Sequence, residues 1–116
     1  MPRHIESQIQ RACKKWFDYQ YPQFASLLFA VPNGGLRGKR EAAIMKAEGM
    51  TAGVADMILL IPKKGYASLC IEFKTAKGRQ TQHQKDWQRI AEMHGNKYVI
   101  VHSFDEFVKA ITAYLC

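Results

Sequence analysis

No apolar run in this 116-residue chain approaches the ~20 residues that span a bilayer, and Met1 to Gln10 is too polar for a secretory signal. A membrane-embedded or secreted protein is therefore not expected; the composition points to a soluble cytoplasmic one, in a bacterial or phage-infected cell. Cysteine is scarce. Cys13, Cys70 and Cys116 are odd in number, widely spaced and without a CxxC pattern, which excludes a disulfide framework or a zinc knuckle and leaves reduced thiols. His4, His83, His94 and His102 show neither HxxxH nor His-x-His spacing, so a histidine zinc site is excluded too, and they read as ordinary surface or partly buried residues. Acidic residues are in the minority, 10 against 17 Lys and Arg, giving formal charge +7 and a pI near 9.5. Such a balance favours a polyanionic partner, nucleic acid ahead of an anionic membrane. Repeats, linkers and low-complexity segments are absent, and a 47% hydrophobic chain of this length suits one domain, residues 1–116, with one core.

What is present is a succession of short periodic segments. Ile5, Ile9, Ala12, Cys13, Trp16 and Phe17 recur at helical spacing, predicting an amphipathic helix from Ile5 to Tyr19 with Arg11, Lys14 and Lys15 on other faces. Tyr21-Pro22 ends it. Leu27 to Val31 is a short strand stopped by Pro32-Asn33-Gly34-Gly35, after which a loop runs through Leu36-Arg37-Gly38-Lys39-Arg40. A second, short helix is expected from Glu41 to Glu48, closed by Gly49. Asp56 to Ile61 and Ser68 to Lys74 form a hairpin around Pro62-Lys63-Lys64-Gly65. In it Leu69, Ile71 and Phe73 face one way and Cys70, Glu72 and Lys74 the other. Thr81 to His94 is helical with Thr81 as N-cap and Gly95 as stop, Lys97 to Val101 is a strand, and Phe104 to Leu115 is a closing helix. The expected fold class is α/β, a mixed sheet flanked by helices.

One constellation carries chemistry. Breaking a phosphodiester at neutral pH usually requires a divalent cation, and hard cations want carboxylate oxygens. Asp56 heads one strand and Glu72 lies on its neighbour, so the two can converge on one ion; Lys74 shares the Glu72 face, where it can orient a water or offset charge growing on phosphorus oxygens. The Phe73 ring points to the opposite face, leaving its backbone carbonyl available as a further ligand. A lone Glu-x-Lys is weak evidence, because paired charges on a strand are commonplace. Here, however, Glu72-Phe73-Lys74 is the single acidic-x-Lys triplet of the chain, and Asp56 is ill suited to a strand and abuts the apolar Met57 to Ile61 run.

These residues resemble the VRR-NUC family, virus-type replication-repair nucleases of the PD-(D/E)xK superfamily. The resemblance covers nearly the whole chain: Glu6 on the first helix, the Val31-Pro32-Asn33-Gly34-Gly35 turn, Gly49-Met50-Thr51-Ala52-Gly53-Val54-Ala55-Asp56, Glu72-Phe73-Lys74, and Thr81 followed by Gln84 and Trp87. It departs at Ala55, where the family motif has proline; that proline shapes backbone and carries no chemistry. The resemblance implies a restriction-endonuclease-like core with a Mg²⁺ or Mn²⁺ site made by Asp56, Glu72 and the Phe73 carbonyl, with Glu6 as a further direct or water-mediated ligand. Lys74 would be the catalytic lysine, and Gln84 would hold a water, the metal shell or the scissile phosphate. On its residues alone, Glu6 reads equally as a solvated first-turn acid, Gln84 as a surface glutamine, and Trp16 and Trp87 as core.

For nucleic-acid contact the sequence offers Arg37, Lys39 and Arg40 among flanking glycines, either a solvated loop or an arm on a DNA backbone, with contact favoured, and Lys77 and Arg79 just beyond Lys74. Lys63 and Lys64, at the hairpin tip, read as solubilising. By resemblance to stand-alone family members, the expected activity is an endonuclease on branched DNA: a four-way junction resolvase acting as a homodimer, with an interface of apolar helix faces around Trp16 or Tyr114. A flap or nicking nuclease is the alternative within the class; a site-specific restriction-like enzyme ranks lower, lacking loops for base contacts. From another class comes a non-catalytic nucleic-acid-binding module.

Overall fold

The computed structural model describes residues 2–32 and 38–116, so Arg37 and Asn33 to Leu36 lie outside the described residues. In chain order the elements are α1 (Pro2–Gln20), a 3-10 turn (Pro22–Leu27), β1 (Leu28–Ala30), α2 (Lys39–Ala47), β2 (Met57–Leu59), β3 (Leu69–Phe73), α3 (Gln82–Met93), β4 (Lys97–Val101) and α4 (Phe104–Leu115). The sheet order is β1-β2-β3-β4, antiparallel except for the parallel β3 and β4. Parallel neighbours need a crossover, and α3 supplies it.

Strand alternation divides the sheet into two faces. On one, Met57, Leu59, Leu69, Ile71, Phe73 and Val101 pack with Cys13 and Phe17 of α1 and with Phe107, Ile111 and Tyr114 of α4. On the other, Cys70 and Tyr98, with the preceding-loop residue Ala55, form a smaller cluster under Trp87 of α3. Every residue of β3 is buried, because helices cover both its faces and strands pair with both its edges. Both tryptophans pack as core: Trp16 lies edge-on to Tyr21, Phe104 and Phe107, and Trp87 lies 6.1 Å from the Tyr98 ring. The thiols are free, Cys13 and Cys70 buried and Cys116 exposed, and burial pushes Cys13 up to about 12.

Three expectations require correction. Lys39 and Arg40 are not loop residues: α2 begins at Lys39, because Gly38 takes the extended N-cap conformation and Lys and Arg are good helix formers. Lys64 does more than solubilise, since its Nζ donates to the Ala113 carbonyl at 2.5 Å and ties the hairpin tip to α4. Tyr114 cannot serve a subunit interface. It is buried, with its hydroxyl donating to the Ile61 carbonyl at 2.6 Å, and a buried phenol needs such a partner.

Candidate active site

The site forms where β2 stops short of β3. The last β2 register position is Met57 opposite Ile71, so the edge of β3 beyond it has no strand to bond. Asp56 takes that place with its side chain: Oδ2 accepts the Phe73 N–H at 2.7 Å, while the Asp56 carbonyl accepts the Val31 N–H at 2.9 Å. A residue unsuited to a strand thus caps one. The Asp56 carboxyl is held above its ordinary range, first because burial strips its water; the Phe73 N–H lowers it, the Glu72 and Glu6 charges raise it, and Lys74 lowers it.

Glu72 is 0% exposed, as its place on β3 dictates. Its Oε1 accepts the Tyr98 hydroxyl, with the Gln80 amide at 3.5 Å. Its Oε2 is buried without a hydrogen-bond partner, and the Lys74 ammonium stands 3.5 Å away. A buried carboxylate oxygen without a hydrogen bond is costly, and the Lys74 ammonium offsets part of that cost. Two desolvated carboxylates, with the Glu72 charge raising the cost of ionising Asp56 and with Glu72 Oε2 lacking a hydrogen bond, suit a divalent ion, which needs only one or two carboxylates plus waters and phosphate oxygens. Among the described residues no group of three or more His, Cys, Asp or Glu is arranged to hold a metal. Glu6 stands on α1, and its charge reaches the Asp56 carboxyl.

The sequence profile of the VRR-NUC domain matches residues 5–105. The chain belongs to the VRR-NUC family. Two solved structures share its fold: a VRR-NUC domain protein, 24% identical with TM-score 0.83 over 95% of this chain and 87% of that one, and a VRR-NUC domain, 18% identical with TM-score 0.57 over 94% and 96%. None of the curated proteins matches the chain. As a VRR-NUC domain it is a nuclease of the PD-(D/E)xK type, a hydrolase whose substrate is DNA. Among the described residues no helix is long and apolar enough to cross a membrane.

Around this VRR-NUC centre the expected residues divide. Asp56, Glu72, the Phe73 backbone and Lys74 come together at one end of the sheet. Gln84 does something else with its carbonyl: Oε1 accepts the Thr81 N–H at 2.8 Å while Thr81 Oγ1 accepts the Gln84 N–H at 3.2 Å. That reciprocal pair is a capping box. Lys77 and Arg79 are exposed on the loop that follows Lys74, and Lys39 and Arg40 are exposed on the first turn of α2. Ala55, at the proline position, is fully buried with Cys70 and Tyr98.

Tyr98 and Gln80 escaped the sequence reading. Gln80 donates to Gln88 Oε1 at 2.9 Å and lies 3.4 Å from the Tyr98 oxygen, so a polar network from the loop and α3 braces Glu72. Tyr98 is buried, and burial together with the Glu72 charge holds its phenol above the ordinary range, in the protonated, donating form. The one signal available was a tyrosine inside a buried strand, whose hydroxyl must find a partner. Tyr98→Phe keeps the ring and deletes the donor. Because loss of a group that orients a metal ligand typically costs about 10–100-fold in metal affinity, the melting-temperature rise induced by Mg²⁺ or Mn²⁺ is expected to need that much more metal. Superimposable titrations of variant and wild type would remove Tyr98 from the site.

Proposed function

We propose that this VRR-NUC domain is a divalent-metal-dependent endonuclease that hydrolyses phosphodiester bonds in branched DNA, a four-way (Holliday) junction resolvase that uses Mg²⁺ or Mn²⁺ and works as a homodimer. The observation that carries the catalytic part is the meeting of Asp56 and Glu72 beside Lys74, with Glu72 Oε2 buried, without a hydrogen bond and facing the Lys74 ammonium. Asp56, Glu72 and the Phe73 carbonyl would hold the ion. Such an ion neutralises phosphate charge and acidifies a water. Lys74, its ammonium held near Glu72, orients that water or offsets charge developing on the phosphorus oxygens. Tyr98 and Gln80 keep the Glu72 carboxylate in one rotamer, and the Phe73 N–H does the same for Asp56.

The branched-substrate and dimer parts rest on symmetry and surface. A two-fold junction needs two matched cuts, and a homodimer supplies two related sites. With the buried face of α4 spent on the core, one group of exposed apolar residues lies on the α3 side of the sheet. Phe29 (40% exposed) pairs in register with Ile58, Leu60 (55%) follows two residues along, and Ile90 (50%) and Met93 (71%) lie a turn apart on α3. Ile58 and Ile90 line one cleft. Clustered apolar surface of this kind marks interaction sites.

Labelled four-way junctions, flaps and linear duplexes incubated with Mg²⁺, Mn²⁺ or EDTA, using wild type, Asp56→Asn and Lys74→Ala, test the proposal. Paired symmetric cuts in the junction, metal-dependent and lost in both variants, are the expected result. Cutting of flaps alone would replace the resolvase with a flap nuclease, and DNA binding without any cutting would leave a non-catalytic module.

A further inference from the structure

A second basic surface lies on α1, which packs against the face of the sheet opposite to that covered by α3. A groove of about 580 Å³ runs between α1 and β1, lined by Ser7, Gln10, Arg11, Lys14 and Lys15 of α1. Its sheet-side wall is Ala30 and Met57. Those neighbours fix where it leads. Met57 follows Asp56, Ala30 precedes the Val31 whose N–H donates to the Asp56 carbonyl, and Ser7 follows the Glu6 whose charge reaches the Asp56 carboxylate. The groove therefore opens on the metal-binding end of the sheet.

Its charges are not equivalent. The Lys14 ammonium has three donors and spends them on Asp18 Oδ1 at 2.7 Å, the Ala25 carbonyl at 2.6 Å and the Leu28 carbonyl at 2.8 Å. It fastens α1 to the 3-10 turn and the start of β1, and it neutralises Asp18, the carboxylate lining this groove. Arg11 and Lys15 are exposed, and no hydrogen bond or ion pair within the described residues engages either. Lys14 thus fixes the helix that presents them. Being four residues apart, they share a helix face about 6 Å apart along the axis, near two nucleotide steps of roughly 3.4 Å.

We propose that this α1–β1 groove holds the phosphodiester backbone of the DNA substrate on one side of the cleaved bond, with Arg11 and Lys15 each contacting a phosphate. This rests on the nuclease reading, and adds Arg11 and Lys15 to the exposed basic residues Lys39, Arg40, Lys77 and Arg79 already proposed to contact DNA. The substrate then lies across the end of the sheet, with the bond to be cut over Asp56 and Glu72.

Fluorescence anisotropy of a labelled four-way junction in EDTA, at several salt concentrations, tests the groove apart from catalysis. The double variant Arg11→Ala/Lys15→Ala changes two exposed helix positions to a strong helix former, so the fold is kept. Its expected affinity is about tenfold weaker than wild type, and its slope of log K against log salt shallower by about 1.8, since each lost phosphate contact is worth about 0.9. The control Lys63→Ala/Lys109→Ala removes the same net charge from exposed positions outside the groove and is expected to stay within about twofold of wild type. If the two double variants weaken binding equally, or the groove variant binds like wild type, the groove contact is wrong while the nuclease reading stands. Failure of the wild type itself to bind the junction would overturn both.

Discussion

Glu72→Gln is expected to lose DNA cleavage by roughly a thousandfold or more, since it would remove the carboxylate proposed to hold the ion and faced by the Lys74 ammonium. The clearer test is thermal. Ions that bind only the folded state raise its melting temperature, so Mg²⁺ or Mn²⁺ should raise that of wild type and leave Glu72→Gln unmoved. Asp56→Asn adds a signed prediction. The folded Asp56 carboxyl sits above its unfolded value of about 3.9, so the folded state holds the proton more tightly. Its contribution to stability is then fully present below the unfolded value and is lost as pH rises through the raised folded value. At neutral pH without metal, wild type carries that penalty and Asp56→Asn does not, so the variant should melt a few degrees higher while being inactive. A metal-free Asp56→Asn that melts below wild type at pH 7 but level with it near pH 3 would show that the carboxylate stabilises the apo fold instead.

Gly53→Ala is the substitution expected to damage the fold most for the fewest atoms. A Cβ there would sit 2.3 Å from the His83 carbonyl oxygen, 2.5 Å from its carbon and 2.9 Å from the Gln84 nitrogen, all backbone of the first turn of α3. Gly53 also has φ +84°, a conformation that costs an L-residue about 1–2 kcal/mol, with overpacking adding about 1–3 kcal/mol. Together these amount to roughly 2–5 kcal/mol, a drop of about 10 °C or more in melting temperature. The loop leads directly into Asp56, so activity should fall further than stability alone explains. Gly65→Ala separates the two contributions: its φ is +85° but nothing lies within 4 Å of the added carbon, so it should show the conformational cost only. Equal melting of the two variants would mean that the loop does not press on α3.

Residues whose role depends on local pattern were legible in the sequence. The helices and strands followed from apolar periodicity to within a few residues, and Asp56, Glu72 and Lys74 stood out because the single acidic-x-Lys triplet of the chain follows an aspartate that abuts an apolar run. The 3-10 turn at Pro22–Leu27 has no such periodicity. Tyr98 and Gln80 were invisible for a different cause. What brings Tyr98 to Glu72 is the parallel crossover through α3, which sets Cys70 opposite Tyr98 and lets the phenol lean toward the neighbouring carboxylate. No spacing along the chain encodes that approach. Gln84 shows the reverse. Thr81-Gln82-His83-Gln84 spells a capping box in the sequence itself, and the family resemblance drew attention to the side chain's chemistry at the expense of its local bond.

The division between β3 and α2 has a bearing on how such a nuclease diversifies. Glu72 and Lys74 ride on, or just beyond, a strand buried along its whole length, the kind of segment that opens only with global unfolding. α2, carrying Lys39 and Arg40, has no buried residue at all. Its sequence can therefore drift, lengthen or exchange charge with little effect on the core that fixes the carboxylates. If Lys39 and Arg40 grip the DNA as proposed, the chemistry is anchored in the least negotiable part of the molecule and this contact in one of its most negotiable, so surface mutation could change how DNA is held while the carboxylates stay in place.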